Sequence, residues 1–330
     1  MLEALIPYLS MPEKTLVSLP VIGQLKLQVF GPLVAIGVII GLQRVLTYAK
    51  HRDMDEFMIR DLMFWVLIFG FVISHWVSVI FYFPEDVARN PWLLLMVWNG
   101  LSSVGGFFGA LVGVWWFAKK HKQPRLALID ALVFGFLTGF TFGRLGCSLV
   151  HDHPGTFVEN LPSWLSWLES LAVGPWPGTG GRYRLDLGLL EFIYDASLAI
   201  YFYVFFNWRK DRRPGLMTGY VCMAYAPYRF ILDFARGAQD LRYFGLTTAH
   251  YATLALFMIG VYLVFIRKER PDDRRWSTDS ARIAEEKAAA EAAKEKGAEA
   301  SEENKENKEN KENKENKENR PEGDGAAAGG

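Results

Sequence analysis

The sequence predicts an all-α polytopic membrane protein: about seven transmembrane helices, the N-terminus outside, the C-terminus cytoplasmic, and a disordered charged tail. Three observations carry this. Apolar runs of about 20 residues, the length a helix needs to cross ~30 Å of hydrocarbon, recur through residues 1–270. The charges that separate those runs are mostly basic and alternate in number from one connection to the next. The polar residues are also unevenly distributed, since residues 1–270 hold 24 Lys+Arg against 19 Asp+Glu whereas residues 271–330 hold 12 against 17. The chain is 51% hydrophobic and 15% aromatic with 2 Cys, which excludes a disulfide scaffold. No Cys/His set has zinc-finger spacing, and the basic residues form no nucleic-acid-binding face, so nucleic acid is not an expected partner.

The apolar runs fall near 29–48, 62–83, 92–118, 126–142, 187–207, 216–232 and 247–266. Lipid offers no hydrogen-bond partner to bare backbone, so they must be helices or a closed barrel, and the absence of period-two alternation selects helices. The first, third and fifth connections and the segment after the last run carry 14 Lys+Arg, while the other faces carry 8. The richer side is predicted to be cytoplasmic. The N-terminus lacks the basic region and short apolar core of a cleavable signal. Gly37 and Gly41, Gly105, Gly109 and Gly113, and Gly135, Gly139 and Gly143 recur at four-residue spacing, which lets helix backbones approach closely in lipid. Residues 1–270 read as the membrane domain and 271–330 as a low-complexity cytoplasmic tail. The stretch 280–300 is either a solvated helix or part of that tail, and from Glu303 a Glu-Asn-Lys triplet repeats to Asn319 with nothing apolar to bury.

Ionisable groups within an apolar bundle are costly and point to function or to polar pairs between helices. One cluster closes the fourth run on the outer side: Gly143, Arg144, Gly146, Cys147, then His151, Asp152 and His153. Arg144 lies at headgroup depth, where a guanidinium suits phosphate, and the glycines favour close backbone approach to a ligand. A second cluster, Tyr225, Arg229, Asp233 and Arg236, falls on one stripe at spacings of four, four and three. Two arginines flanking one carboxylate favour an anionic ligand. Glu191, Tyr194 and Asp195 share a face of the fifth run and either pair with these arginines or act as a base. His75 and Asn99 read as hydrogen bonders between helices. Trp164, Trp167, Leu168 and Leu171 are placed on one face of a short interfacial helix, either a lid or an anchor.

These motifs, in this order over most of residues 22–266, resemble the bacterial prolipoprotein diacylglyceryl transferase family. Gly143-Arg144-Leu145-Gly146 matches the start of its signature. Phe30-Gly31 stands where the family has Tyr-Gly, and Val104-Gly105-Gly106 where it has His-Gly-Gly. Arg184 and Glu191 match the ends of its Arg-His-Pro-x-Gln-x-x-Glu segment. Tyr225, Arg229, Asp233 and Arg236 resemble its Arg-x-x-x-Glu/Asp-Phe-x-Arg stretch, and Gly245-Leu246-Thr247 its Gly-Leu-Ser. The resemblance implies a multi-pass enzyme of the bacterial inner membrane. It moves the diacylglyceryl group of phosphatidylglycerol onto the lipobox cysteine of a prolipoprotein, in lipoprotein biosynthesis, without a metal or other cofactor. Arg144 and Arg229 then hold the phosphate. Arg236, Asp233, Tyr225, Glu191, Gly143, Gly146, Gly105 and Gly106 complete the substrate site.

The departures fall on the family's proton-handling positions. Its His is Val104, its Tyr is Phe30, the Asn after Gly-Arg-x-Gly is Cys147, and its Glu falls at Asp152. His151, Asp152 and His153 are the candidates for a displaced base, and Cys147 for a nucleophile. A transition metal on these donors is a further option, though Cys-x-x-x-His-Asp-His is not a standard zinc spacing. The alternatives are a transferase of this fold with another acceptor, or a non-catalytic binder or transporter of anionic phospholipid.

Overall fold

The computed structural model describes residues 6–9, 11, 14–19, 23–27, 29–96, 100–237, 242–271 and 273. Apart from Pro271 and Asp273, the expected low-complexity tail lies outside the described residues, as does Asn99. The helices in chain order are α1 (Phe30–His51), α2 (Glu56–Tyr82), α3 (Pro84–Arg89), α4 (Ser103–Lys120), α5 (Arg125–Val150), α6 (Leu187–Ile200), α7 (Leu216–Leu232) and α8 (Thr248–Val261). Among the described residues, five helical stretches are long and apolar enough to cross a membrane: Phe30–His51, Glu56–Phe81, Arg125–Val150, Leu187–Phe205 and Thr248–Ile266. Both α6 and α8 reach that length through a wider π turn, Tyr201–Phe205 and Tyr262–Ile266.

Several helix ends are set by side chains that satisfy otherwise unpaired backbone N–H groups. Asp55 accepts from Phe57 and Met58 at the start of α2, Ser102 from Gly105 at α4, and Asp186 from Leu189 at α6. For α7 the cap comes from another helix. Asp130 of α5 is buried and accepts from the Gly215 and Thr218 N–H groups at 2.7 and 2.8 Å. The glycine spacing acts as read from the sequence: α1 packs on α5 and α2 on α4. A Cβ on Gly37 would sit 2.8 Å from Phe142 Cβ, and one on Gly105 would sit 2.7 Å from Val77 Cβ. Large apolar side chains such as Phe64, Phe71, Phe108, Leu111, Leu254 and Phe265 point outward, as an apolar solvent allows.

The two ends of the bundle differ. At one, Arg52 donates to Asp211 Oδ1 and to the Trp208, Lys210 and Arg212 carbonyls, and His51 Nε2 meets the Arg209 carbonyl at 2.9 Å. The first and fifth basic connections are thereby joined. The opposite end is built from short antiparallel pairs. Lys14–Leu19 (β1) pairs with Gly23–Leu27 (β2), Pro154–Phe157 (β3) with Arg184–Asp186 (β4), and Arg242–Tyr243 (β5) with Leu246–Thr247 (β6). An apolar core of Leu165, Leu168, Leu185, Leu187, Leu190 and Leu232 lies beneath.

Four expectations differ from the structure. The third apolar run does not begin at 92: Pro91–Leu95 is a single 3₁₀ stretch, Gly100 has φ +90°, and the helix starts at Ser103. The fourth runs past 142 to Val150, so Arg144 and Cys147 are helical. Arg144 has a carboxylate partner inside the bundle (below), so its charge does not end the helix. Residues Ser163–Leu171 form a 3₁₀ helix, whose period of three puts Trp164 and Trp167 outward, 53% and 60% exposed, and Leu165 and Leu168 inward. The four residues read as one face therefore divide between two. His75 bonds the Leu93 and Gly100 carbonyls at 2.8 and 3.1 Å, pinning the α3–α4 connection instead of a neighbouring helix.

Candidate active site

The expected charged residues converge at the paired-strand end of the bundle. Glu191 of α6 is 1% exposed, and each of its oxygens takes a different arginine. Oε2 lies 2.6 Å from Arg144 Nε of α5, and Oε1 lies 3.2 Å from Arg229 Nε of α7. Arg229 continues to Asp233 Oδ1 at 2.7 Å, and Arg236 Nε meets the same oxygen at 3.1 Å. The chain of contacts is therefore Arg144–Glu191–Arg229–Asp233–Arg236, with three guanidiniums against two carboxylates. Both carboxylates engage the Nε edge of an arginine. The terminal nitrogens of Arg144 have no carboxylate partner among the described residues, and its guanidinium lies over the Phe140 ring at 4.8 Å. This is the edge-held, fork-out arrangement that suits an oxyanion.

Tyr225 stands one turn before Arg229, close to Glu191 and Arg144. The stripe predicted through Tyr225, Arg229, Asp233 and Arg236 is helical only to Leu232; Asp233–Ala235 tightens to a 3₁₀ turn and Arg236 is extended. Arg236 then bridges to Gly155 of β3, tying the arginine chain to the α5–α6 segment.

Asp233 is the best supported of these groups. It is fully buried, the Thr247 hydroxyl donates to its Oδ2, and His250 Nδ1 lies 3.2 Å from that oxygen. Burial alone would raise this carboxyl, but Arg229, the Thr247 hydroxyl and Arg236 outweigh it and hold it below the ordinary carboxylate range. Thr247 and His250 also close a capping box at the start of α8. Sequence reasoning named Thr247 only within the Gly245-Leu246-Thr247 match and missed His250, although Thr-x-x-His is the spacing between an N-cap residue and the third helical position. Asp195 lies one turn beyond Glu191, buried, and its Oδ2 has no hydrogen-bond partner among the described residues.

The glycines divide between packing and open space. Gly105 is filled from outside by Val77 and Ser74, and Gly146 by Phe30, whereas nothing lies within 4 Å of a Cβ on Gly143 and only Ser74 lies near Gly106. Close helix packing thus accounts for Gly105 and Gly146.

His151 ends α5 in the left-handed region, at φ 53°. Its Nδ1 lies 2.5 Å from Asp186 Oδ2 and its Nε2 lies 3.0 Å from the Leu9 carbonyl, while its ring stacks on Tyr8 and meets Trp176 edge-on. Both nitrogens are thus engaged by the protein. Asp186, the helix cap of α6, was not among the expected site residues. Its signal was an Asp placed directly before an apolar run. The reversal at His151 folds the chain back so that Asp152 and His153 return to Cys147, and one donor atom from each of the three lies within 4.8 Å of the others. Cys147 also borders Arg144, so this trio adjoins the arginine chain.

A bundle of membrane-crossing helices with an arginine–carboxylate chain at one end defines a polytopic membrane protein. Residues 17–266 match the family described as prolipoprotein diacylglyceryl transferase, and the chain belongs to that family. It is a membrane transferase of that family. A phosphatidylglycerol–prolipoprotein diacylglyceryl transferase of Chromohalobacter salexigens is 27% identical over 267 residues, covering 77% of this chain and 93% of that protein. Proteins of the same description from Ruegeria pomeroyi and Polaromonas naphthalenivorans are 26% and 28% identical over 241 and 220 residues. They cover 68% and 65% of this chain, and 81% and 76% of their own lengths.

Proposed function

We propose that the protein transfers the diacylglyceryl group of phosphatidylglycerol to the cysteine thiol of a prolipoprotein lipobox, as a seven-span enzyme of the bacterial inner membrane. In this reading α4 and α7 cross the membrane with the five longer helices. The basic connections joined through Arg52 face the cytoplasm, and the arginine chain lies on the outer side. The observation that carries the function is that Glu191 holds Arg144 and Arg229 by Nε, at 2.6 and 3.2 Å, so that the Arg144 fork and the Arg229 nitrogen not taken by Asp233 are left to face a phosphate.

The chemistry follows from that geometry. The thiolate attacks the glycerol carbon bonded to the phosphate oxygen. A C–S bond forms as the C–O bond breaks, and glycerol 1-phosphate leaves. Negative charge grows on the phosphate as that bond opens, and two preoriented guanidiniums stabilise it more in the transition state than in the bound lipid. Asp233 fixes Arg229 and Arg236, and Glu191 fixes Arg144 and Arg229. The thiol proton is lost at the Cys147–Asp152–His153 face, since His151 has no open nitrogen.

The test is lipid selectivity in nanodiscs. Labelled phosphatidylglycerol is expected to bind in preference to phosphatidylcholine. That preference is expected to vanish in Arg144→Ala and Arg229→Ala, measured at a temperature where both destabilised variants are still folded. Equal affinity for the two lipids, or full preference in either variant, would overturn the phosphate assignment.

A further inference from the structure

The trio at the mouth of the site has a composition that the arginine chain does not explain. Cys147 is buried at the end of α5, while the side chains of Asp152 and His153 are 43% and 25% exposed. The three donor atoms lie within 4.8 Å of one another, with His153 Nδ1 only 2.5 Å from Asp152 Oδ1. The linear spacing concealed this, because the left-handed residue His151 reverses the chain between the first donor and the other two. The backbone on both sides is held: His151 is fixed by Asp186, Leu9, Tyr8 and Trp176, and the His153 carbonyl accepts from Leu187 N–H at 3.0 Å.

We propose that Cys147, Asp152 and His153 form a three-donor site for a divalent transition metal of the zinc class, whose fourth position takes the acceptor thiol. The second clause rests on the diacylglyceryl transfer proposed above; the metal site does not. A tetrahedral ion with one sulfur, one nitrogen and one oxygen ligand needs donors about 3.5 Å apart. The site therefore requires Asp152 and His153, the two partly exposed side chains, to rotate on binding. A thiolate, an imidazole and a carboxylate suit a borderline-soft ion, and the two anionic donors balance its charge. Binding takes Cys147 as the thiolate and replaces the contact between His153 Nδ1 and Asp152 Oδ1. Three protein ligands with one open position is the pattern of a catalytic site, whereas structural sites close all four. At the open position the acceptor thiol loses its proton to solvent and becomes a bound thiolate beside Arg144. Both nitrogens of the neighbouring His151 are engaged by Asp186 and Leu9, so the metal supplies the thiolate that a base would otherwise generate.

The experiment uses the full-length protein in detergent, stripped with chelator and titrated with cobalt(II). One equivalent is expected to give a thiolate-to-cobalt charge-transfer band in the near ultraviolet, bleached by zinc. The band is expected to be lost in Cys147→Ala and Cys147→Ser, weakened in His153→Ala and Asp152→Asn, and unchanged in Cys222→Ala. A lipobox peptide with a free thiol is expected to intensify the band, and its Cys→Ser counterpart is not. No band in the wild type, or a band that survives both Cys147 changes, overturns the metal site. A band that ignores the thiol peptide overturns the acceptor role. Turnover with chelator present and no cobalt band overturns this inference while leaving the phosphate site standing. A cobalt band without any phosphatidylglycerol turnover overturns the transfer reading and leaves the metal site.

Discussion

Replacing Glu191 by Gln keeps the size of the side chain and removes its charge. Glu191 is 1% exposed and holds Arg144 Nε at 2.6 Å and Arg229 Nε at 3.2 Å. At an effective dielectric of about 20, each contact is worth about 5–6 kcal/mol of attraction. Desolvation offsets much of this, which is why such a pair adds little over an apolar replacement. Removing one partner is different, because two buried guanidiniums then face each other across a neutral amide. The expected cost is about 3–5 kcal/mol, which lowers the melting temperature of a chain this size by about 4–7 °C. Differential scanning fluorimetry in detergent measures it, with turnover on phosphatidylglycerol as the second readout. Because the arginine forks lose their common anchor, kcat is expected to fall by at least about 100-fold, comparable to losing one preorganised donor. Glu191→Asp should recover part of both losses. A Glu191→Gln protein that melts and turns over like the wild type would refute the idea that this carboxylate organises the site.

Arg144→Lys and Arg229→Lys keep a positive charge but lose the planar fork, so turnover is expected to fall about 100-fold or more in each, measured as glycerol phosphate release. His151→Asn removes the contacts to Asp186 and Leu9; the expected effect is about 1–3 kcal/mol of stability with little change in kcat at a temperature where the variant is folded. Asp233 is held below its ordinary value by Arg229, Thr247 and Arg236 despite its burial. The stability it contributes is therefore fully present above about pH 4 and is lost as pH falls through the depressed folded value. Melting between pH 8 and 5 should show no step from Asp233, and Asp233→Asn should flatten the loss seen at lower pH. Truncation after residue 276 removes the Glu-Asn-Lys repeats and is expected to leave turnover unchanged.

The membrane class was legible because lipid demands long apolar helices, and the arginines were legible because charge is costly in such helices. The pairing was not. Spacing put Glu191 on a face with Tyr194 and Asp195, but only packing of α5, α6 and α7 showed that one carboxylate serves both Arg144 and Arg229. The length of α5 was under-read for the same reason, since a partnered arginine does not terminate a helix. The Trp164–Leu171 segment followed the 3₁₀ period, and a period of 3.6 mixed its two faces. His151 and His153 looked equivalent in sequence. The positive φ at His151 separates them, turning one ring toward Asp186 and the other toward Asp152 and Cys147.

The central claim is that the arginine pair activates phosphatidylglycerol for transfer to a thiol. Its most direct measurement is the mass of a lipobox peptide after incubation with the purified protein and phosphatidylglycerol, with released glycerol 1-phosphate counted in the same reaction. The account predicts a diacylglyceryl adduct on the cysteine that resists hydroxylamine, as a thioether does, matched one-for-one by glycerol 1-phosphate and absent with Arg144→Ala. An unmodified peptide with well-folded protein, or an adduct formed equally by the Arg144→Ala variant, would contradict it.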